Sequence, residues 1–154
     1  MNITIEPYST KFAKQVADVF TQAVHAIGDE HYSAEQKQAW AATPVDYSYW
    51  QQRLKAERCF VALQAETVVG FIELEGCNID CCYVSPKYQT KGIALQMLQY
   101  IEAIARQQQR EYLFVDASKV ARGFFVKQGF SVIKINKVQR AGQTLLNFSM
   151  QKSL

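Results

Sequence analysis

The sequence lacks the features that mark membrane-spanning, secreted and nucleic-acid-binding chains. No run of about 18 apolar residues occurs, so we expect no membrane span. Residues 1–7 lack the basic and apolar regions of a secretory signal peptide, which predicts a cytoplasmic protein. The net charge is only +3, from 17 basic and 14 acidic residues, and no block of like charges occurs. A nucleic-acid partner is therefore not expected.

Metal-ligand spacing is also missing from the four cysteines, Cys59, Cys77, Cys81 and Cys82. The pattern Cys-x-x-x-Cys-Cys differs from the usual zinc knuckles, and both histidines lie far away in sequence, so no metal is expected. Without a secretion signal, the thiols should be reduced rather than bridged. Adjacent Cys81 and Cys82 should point to opposite faces of a strand, and apolar packing is the default role for all four.

The composition is that of a globular protein, with 49% hydrophobic and 20% charged residues in a chain of 154. We expect a single domain over residues 1–154. Hydrophobic periodicity predicts strands at residues 2–6, 59–63, 67–74, 78–84, 112–115, 130–133 and 144–150. It predicts helices at residues 9–28, 33–40, 46–54, 92–109 and 118–129. This order indicates an α+β fold with a mixed central sheet of about seven strands and helices on both faces.

Small polar residues and glycines mark several expected helix ends. Residues 33–36, Ser-x-x-Gln, have the spacing of a capping box. Asp46 or Ser48 is the expected cap of the third helix. Gly28 and Gly129 are expected to end the first and the last helix.

The most specific pattern lies between a predicted strand and the longest predicted helix. Ser85-Pro86 ends the strand, because proline cannot donate to a ladder. Residues 89–94, Gln-Thr-Lys-Gly-Ile-Ala, then lead into the helix. Such a turn leaves backbone N–H groups unpaired at the positive end of a helix dipole, which suits a phosphate or pyrophosphate. Gly92 lets the backbone approach the anion, and neither common glycine-rich nucleotide loop is present.

Two blocks of the sequence resemble the GNAT acetyltransferases. Residues 89–94, Gln-x-x-Gly-x-Ala, resemble the family's central motif, Arg/Gln-x-x-Gly-x-Gly/Ala, which holds the pyrophosphate of acetyl-CoA. Residues 115–130 look like the family's strand-five block, Asn-Ala-Ser-x-x-Ala-x-x-Phe-Tyr-x-x-x-Gly-Phe. The predicted element order is also that of the GNAT fold, in which acetyl-CoA lies where strands four and five splay apart. A softer similarity to a small bacterial branch rests on residues 31–33, 39–41 and 147–150.

The resemblance implies acetyl transfer from acetyl-CoA, used as a cosubstrate, to a primary amine by direct attack in a ternary complex. Backbone amides of residues 89–94 would hold the pyrophosphate, and main-chain groups of residues 82–84 would pair with pantetheine. The N–H of Cys82 would polarise the thioester carbonyl. Ser118 would contact the cofactor or simply cap the last helix. The implied cofactor-binding residues are Cys82, Tyr83, Val84, Gln89, Thr90, Lys91, Gly92, Ile93, Ala94, Ser118 and Phe125.

A base that deprotonates the amine is expected on the strand at residues 78–84. Strand alternation predicts that Asn78, Asp80 and Cys82 share one face, and Asp80 is the ionisable carboxyl among them. Burial in an apolar cleft would raise its pKa towards the range of a useful base. The alternative is that Asp80 pairs with a lysine or arginine, or only orients a water. Glu73 and Glu75 are second choices that would act through water.

Phe125 is the clearest departure from the family pattern, which has a tyrosine there whose hydroxyl protonates the departing thiolate. Three outcomes remain open: the thiolate leaves with help from water and a helix dipole, turnover is slow, or another tyrosine substitutes. Tyr83, Tyr88 and Tyr32 are the candidates for that substitution. Asp116 in place of asparagine is a second, milder departure.

Two other functions stay open alongside the enzyme. The first is an acyl-CoA-binding regulatory module with weak or no catalysis, which Phe125 favours. The second, more distant, is a nucleic-acid-binding domain, which the mild positive charge suggests but the apolar strands oppose. For an enzyme, the acceptor would be a small-molecule or peptide amine, and the sequence is compatible with a monomer or a homodimer. His31 and the aromatic-rich residues 30–50 are candidates for the acceptor side.

Overall fold

Seven strands and five α-helices make up the fold in a computed structural model that describes residues 2–154. The strands are β1 (Thr4–Pro7), β2 (Cys59–Gln64), β3 (Thr67–Glu75), β4 (Asn78–Val84), β5 (Tyr112–Ser118), β6 (Ser131–Arg140) and β7 (Gln143–Ser153). The helices are α1 (Ala13–His25), α2 (Ala34–Trp40), α3 (Tyr47–Arg53), α4 (Ile93–Gln107) and α5 (Arg122–Lys127). None of the helices described combines the length and the apolar composition that a bilayer crossing needs.

The strands form one mixed sheet in the order β1-β2-β3-β4-β5-β7-β6. Neighbouring strands are antiparallel except β4 and β5, which run parallel on either side of the α4 crossover. Within residues 2–154, β4 and β5 pair only at Asn78–Phe114 and Ile79–Val115, and they diverge beyond these pairs. The predicted α+β fold with a mixed sheet is confirmed. The sheet has a gap between the carboxyl ends of its two central strands.

Helices cover both faces of this sheet, as predicted. On one face, α4 buries Ile93, Met97 and Ile101, which recur at the spacing of a single helical stripe. On the other face, α1 and α3 bury Val16 and Trp50 against the strands. The sheet that contains the gap is therefore packed between two apolar cores, each covered by helices.

Several predicted helix ends have the hydrogen bonds expected of them. Ser33 Oγ accepts from the Gln36 N–H at 3.1 Å, and Gln36 Oε1 accepts from the Ser33 N–H at 2.8 Å. Asp46 Oδ1 accepts from the Tyr49 N–H at 3.0 Å and begins α3. Gly129 follows α5 with φ +96°, a left-handed conformation that favours glycine. The capping box, the Asp46 cap and the Gly129 end are thus confirmed.

The end of α1 differs from the prediction. The helix stops at His25 instead of continuing to Gly28. The chain beyond it brings Tyr32 to β7. The Tyr32 hydroxyl donates to the Leu146 carbonyl at 2.6 Å and accepts from the Lys119 N–H at 2.9 Å. One buried hydroxyl therefore ties this segment to β7 and to the connection after β5.

The start of α5 also differs from the predicted start at residue 118. The helix begins at Arg122, whereas Ser118 remains in β5 and pairs with Asn147 of β7. Ser118 Oγ accepts from the Ala121 N–H at 3.1 Å. The prediction that Ser118 caps the helix is therefore wrong, because Ala121 is the N-cap of α5 and Ser118 closes the turn before it.

The last hairpin is longer than predicted. The prediction ends the sixth strand at residue 133, whereas β6 continues to Arg140 and returns through Ala141 and Gly142, with φ of 47° and 79°. β6 is an edge strand with mostly exposed side chains. Lys134 and Lys137 suit an exposed edge, but they interrupt the apolar alternation on which the prediction depends.

Candidate active site

Two cavities adjoin at the gap between β4 and β5. The loop-side cavity, about 630 Å³, is bounded by the turn before α4, including Gln89 and Gly92. The strand-side cavity, about 590 Å³, lies over β4, β5 and β7 and includes Asp80 and Asp116. The residues that line both cavities are Trp40, Cys82, Tyr83, Ser118, Ala121 and Phe125. A molecule bound on one side can therefore meet a molecule bound on the other at these residues.

The turn before α4 forms a cradle of backbone amides. Thr90 and Gly92 have φ of 64° and 81°, on either side of Lys91. Because α4 begins at Ile93, the N–H groups of Ile93 and Ala94 have no carbonyl one helical turn earlier to pair with. A Cβ added to Gly92 would meet no atom within 4 Å, so this corner is open. The geometry fits a pyrophosphate held by main-chain donors.

Side chains brace this turn without filling it. Gln89 Nε2 donates to the Val84 carbonyl at 3.3 Å, and Thr90 Oγ1 donates to the Gln89 carbonyl at 2.6 Å. Within residues 89–94, the predicted residues that line the loop-side cavity are Gln89, Thr90, Gly92, Ile93 and Ala94. Lys91 is exposed and does not line it, so the prediction for Lys91 depends on its backbone N–H.

The edge of β4 presents main-chain groups to the gap. The Ser85 N–H donates to the Val69 carbonyl at 2.8 Å, so Ser85 is directed towards β3. Backbone groups point alternately to the two edges of a strand, so Tyr83 is also directed towards β3, where it pairs with Phe71. Cys82 and Val84 are directed towards the gap. In this register the main chain of Tyr83 faces β3, and the main-chain groups of Cys82 and Val84 face the gap. Pairing of these residues with pantetheine stays a prediction.

A β-bulge at Asp80 changes which side chains share a face. Glu73 pairs with Cys81 and Leu74 pairs with Ile79, which leaves Asp80 as the extra residue. Cys82 packs with Ile79 in the core under α4, whereas Cys81 lies in the core under α1. The prediction that Asp80 and Cys82 share a face is wrong, because one extra residue reverses the alternation.

Asp80 has the electrostatic environment expected of a weak acid. Asp80 is an exposed residue of the cavity wall, and partial loss of the water around its carboxyl raises the carboxyl's pKa. A hydrogen bond with the Glu75 carboxyl and the negative charges of Glu75 and Glu73 raise this pKa further. The positive charge of Arg53 opposes these effects. A raised pKa makes the ionised Asp80 a stronger base towards an incoming amine.

The two other candidate bases are held by arginines. Glu73 is 4% exposed and forms an ion pair with Arg53, with Oε1 and Nη1 2.7 Å apart. Arg53 also donates to Cys81 Sγ at 3.6 Å. Glu75 pairs with Arg58 at 3.2 Å near the surface. Neither glutamate lines the strand-side cavity, which leaves Asp80 as the better placed carboxyl on this edge.

We expect Arg53→Met to lower the free energy of unfolding by about 3 kcal/mol, because it leaves the buried Glu73 carboxylate without its partner. Arg58→Met is the matched control and should cost less than about 1 kcal/mol, because its pair with Glu75 is exposed. Urea denaturation of both variants measures the difference. Equal losses would contradict the structural role given to Arg53.

Further polar groups of the strand-side cavity were not predicted. Ser149 Oγ donates to Asp116 Oδ1 at 2.7 Å, and Asn136 Nδ2 donates to Ser149 Oγ at 2.7 Å and to Asn147 Oδ1 at 3.0 Å. This network joins β5, β6 and β7. Asn147 and Ser149 alternate on one face of a strand, which is the sequence signal that could have indicated it.

The remaining predicted residues fall on different sides of the gap. Cys82 is half-buried, and burial raises the pKa of its thiol to about 12, so the side chain is a neutral thiol at pH 7. Phe125 is buried at the junction of the cavities. Tyr32 and Trp40 line the strand-side cavity, whereas His31 lines the loop-side cavity and not the strand-side one.

Comparison with known proteins places the chain in a family. Residues 29–154 match the family model described as the acetyltransferase (GNAT) domain. The uncharacterized N-acetyltransferase YafP of Escherichia coli strain K12 is 33% identical over 150 residues, which is 97% of this chain and 95% of YafP. The chain belongs to the GNAT acetyltransferase family.

Solved structures have the same fold. A GCN5-related N-acetyltransferase from Rhodopseudomonas palustris superposes with a TM-score of 0.92 at 30% identity, covering 100% of this chain and 97% of that one. The PaiA N-acetyltransferase from Thermoplasma acidophilum, solved in complex with coenzyme A, gives a TM-score of 0.78 at 20% identity over 100% of both chains. The second likeness concerns the fold alone.

Proposed function

We propose that this protein transfers the acetyl group of acetyl-CoA to a primary amine while both are bound. The observation that carries the proposal is the free edge of β4, where Cys82 and Val84 face a gap with a cavity on each side. The loop-side cavity ends in a cradle of amides suited to a pyrophosphate. The strand-side cavity contains carboxylates suited to a cationic amine.

The loop-side residues would bind and orient the cosubstrate. Main-chain N–H groups at Gly92, Ile93 and Ala94 would donate to the pyrophosphate. Main-chain groups of Cys82 and Val84 would pair with the pantetheine amides, as an added strand pairs with a sheet edge. The neighbour from Thermoplasma acidophilum that was solved with coenzyme A supports this assignment by its fold.

The β4 edge would then promote acyl transfer. The Cys82 N–H would donate to the thioester carbonyl oxygen and stabilise the negative charge that develops there. Asp80, in the strand-side cavity, would accept a proton from the attacking amine directly or through one water. The neutral Cys82 thiol disfavours an acyl-cysteine intermediate, so we assign its backbone and not its sulfur.

The second candidate is an acyl-CoA-binding regulatory module. Phe125 favours it, because a buried phenyl ring supplies no proton to a thiolate at the junction of the cavities. The two functions share a cosubstrate site and differ in whether an amine releases the CoA thiol.

Calorimetric titration with CoA, followed by a thiol-release assay with acetyl-CoA, separates these candidates. The acceptor panel should contain polyamines, amino acids, aminoglycosides and peptides with free N-termini. We expect CoA binding and amine-dependent thiol release with one of these classes. Binding without release by any amine would favour the binding module. No binding would contradict both functions.

A further inference from the structure

The family tyrosine that protonates the departing thiolate is replaced here by Phe125. This residue is 2% exposed, packs edge-on against Phe124 and Phe130 with ring centroids 5.1 Å away in each case, and lines both cavities. If the proposed acetyl transfer takes place, the thiolate leaves next to a side chain that has no proton to give. Three nearby tyrosines, Tyr32, Tyr83 and Tyr88, have hydroxyls that could take over this step.

Two of the three candidate tyrosines are poorly placed. The Tyr32 hydroxyl already donates to the Leu146 carbonyl at 2.6 Å and accepts from the Lys119 N–H at 2.9 Å. Releasing its proton would leave the Leu146 carbonyl without its donor inside the protein. Tyr88 lines the loop-side cavity near the pyrophosphate cradle and not the strand-side cavity.

Tyr83 remains, and its position is defined by aromatic packing. Its ring stacks on Phe71 at 5.8 Å with an interplanar angle of 28°, and it meets Phe20 edge-on at 5.0 Å and 82°. The ring centroids of Trp40 and Tyr83 lie 6.4 Å apart, and both residues line both cavities. Packing on three sides fixes the ring of Tyr83, which is one of the residues at the junction where the cavities meet.

The Tyr83 hydroxyl is a neutral phenol at physiological pH. Burial raises its pKa above the ordinary value, the Cys81 sulfur adds to this, and the neighbouring Trp40 and Arg140 side chains oppose it only in part. The group is therefore protonated over the whole physiological range. The same shift weakens it as an acid, and Trp40 and Arg140, which favour the phenolate, limit that weakening.

We propose that the Tyr83 hydroxyl is the general acid that protonates the departing CoA thiolate, in place of the tyrosine that Phe125 replaces. This rests on the proposed acetyl transfer. The amine nitrogen forms a bond to the thioester carbon, the carbon–sulfur bond breaks, and its electron pair goes to sulfur. The Tyr83 proton moves to that sulfur and gives the thiol. Asp80 takes the proton that the nitrogen loses as the amide forms, and it returns a proton through water to the resulting phenolate, which restores the tyrosine.

The first test needs no acceptor amine. The pH of the CoA complex is varied, and ultraviolet absorbance measures the fraction of bound CoA that is thiolate. The same titration of the complex with desulfo-CoA, which has no thiol, is subtracted to remove the signal of the protein's own thiols. A hydroxyl that donates to the sulfur stabilises the thiolate, so the thiol pKa of bound CoA should be lower in the wild type than in Tyr83→Phe. The phenyl ring preserves the packing on Phe71, so the variant should fold, which its Tm verifies.

The second test moves the hydroxyl. With acetyl-CoA and the best amine of the panel above, Tyr83→Phe should lower kcat about tenfold to a hundredfold, near the low end of general acid catalysis because a thiolate is a fair leaving group. Adding Phe125→Tyr to Tyr83→Phe returns a hydroxyl to the junction and should restore most of kcat and lower the thiol pKa again. Tyr100→Phe, a change on α4 outside both cavities, is the matched control and should match the wild type.

The outcomes distinguish failure of the Tyr83 assignment from failure of the proposed acetyl transfer. Equal thiol pKa values for CoA bound to the wild type and to Tyr83→Phe would overturn the assignment of Tyr83, and so would a lowered kcat that Phe125→Tyr does not restore. Absence of CoA binding by the wild-type protein would instead overturn the proposed function, and the assignment of Tyr83 with it.

Discussion

Gly92→Glu is expected to weaken CoA binding by about a hundredfold or more, because it places a negative charge inside a cradle of backbone donors. The new Cβ would enter the open corner in which no protein atom lies within 4 Å. The carboxylate would then compete with the pyrophosphate for the N–H groups of Ile93 and Ala94 and repel its charge. Calorimetric titration with CoA measures the loss.

The same substitution at Gly142 provides the control. Gly142 has φ +79°, close to the +81° of Gly92, and a Cβ there would likewise meet nothing within 4 Å. It lies in the β6–β7 turn and lines neither cavity. Gly142→Glu therefore repeats the backbone strain and the added charge but should leave CoA affinity at the wild-type value. Retained affinity in Gly92→Glu, or an equal loss in both variants, would contradict the assigned cradle.

Asp80→Asn is expected to lower kcat about a hundredfold and to leave the affinity for CoA nearly unchanged. The amide has the size of the carboxyl but cannot accept the proton of the amine, and the loss corresponds to a typical contribution of general base catalysis. The site of the change lies in the strand-side cavity, away from the turn before α4. Initial rates at saturating acetyl-CoA and calorimetry with CoA measure the two quantities separately.

The pH dependence provides the second part of this prediction. Asp80 acts as a base only when ionised, and partial loss of water and its acidic neighbours raise its pKa. As the pH is lowered, the rate should therefore begin to fall at a higher pH than it would with a carboxyl of ordinary pKa. The Asp80→Asn variant should lose this acid-side decrease in its pH–rate profile. Asp116→Asn, in the same cavity, should retain it. A variant Asp80→Asn with wild-type kcat would remove Asp80 from the mechanism.

The parts of the fold that depend on local sequence were predictable. α4 follows from the recurrence of Ile93, Met97 and Ile101, and the start of α2 follows from the spacing of Ser33 and Gln36. The gap between β4 and β5 could be expected only from the family resemblance, because divergence of two strands depends on what pairs with each of them.

The wrong and missed predictions concern contacts between elements that are separate in sequence. The bulge at Asp80 arises from the pairing of β4 with β3, and nothing in residues 78–84 marks it. Strand alternation therefore placed Asp80 on the same face as Cys82, which is wrong. The Arg53–Glu73 pair joins residues 20 positions apart in sequence through the fold, and sequence alone could not match them. The position of Tyr83 in the walls of both cavities likewise depends on the packing of Phe71 and Phe20 around its ring.

The structure of the protein crystallised with CoA tests the central claim most directly. We predict that the pyrophosphate accepts hydrogen bonds from the N–H groups at Gly92, Ile93 and Ala94, and that the pantetheine arm runs through the gap along Cys82 and Val84. A cofactor bound elsewhere, or a gap that side chains close in the complex, would contradict the account.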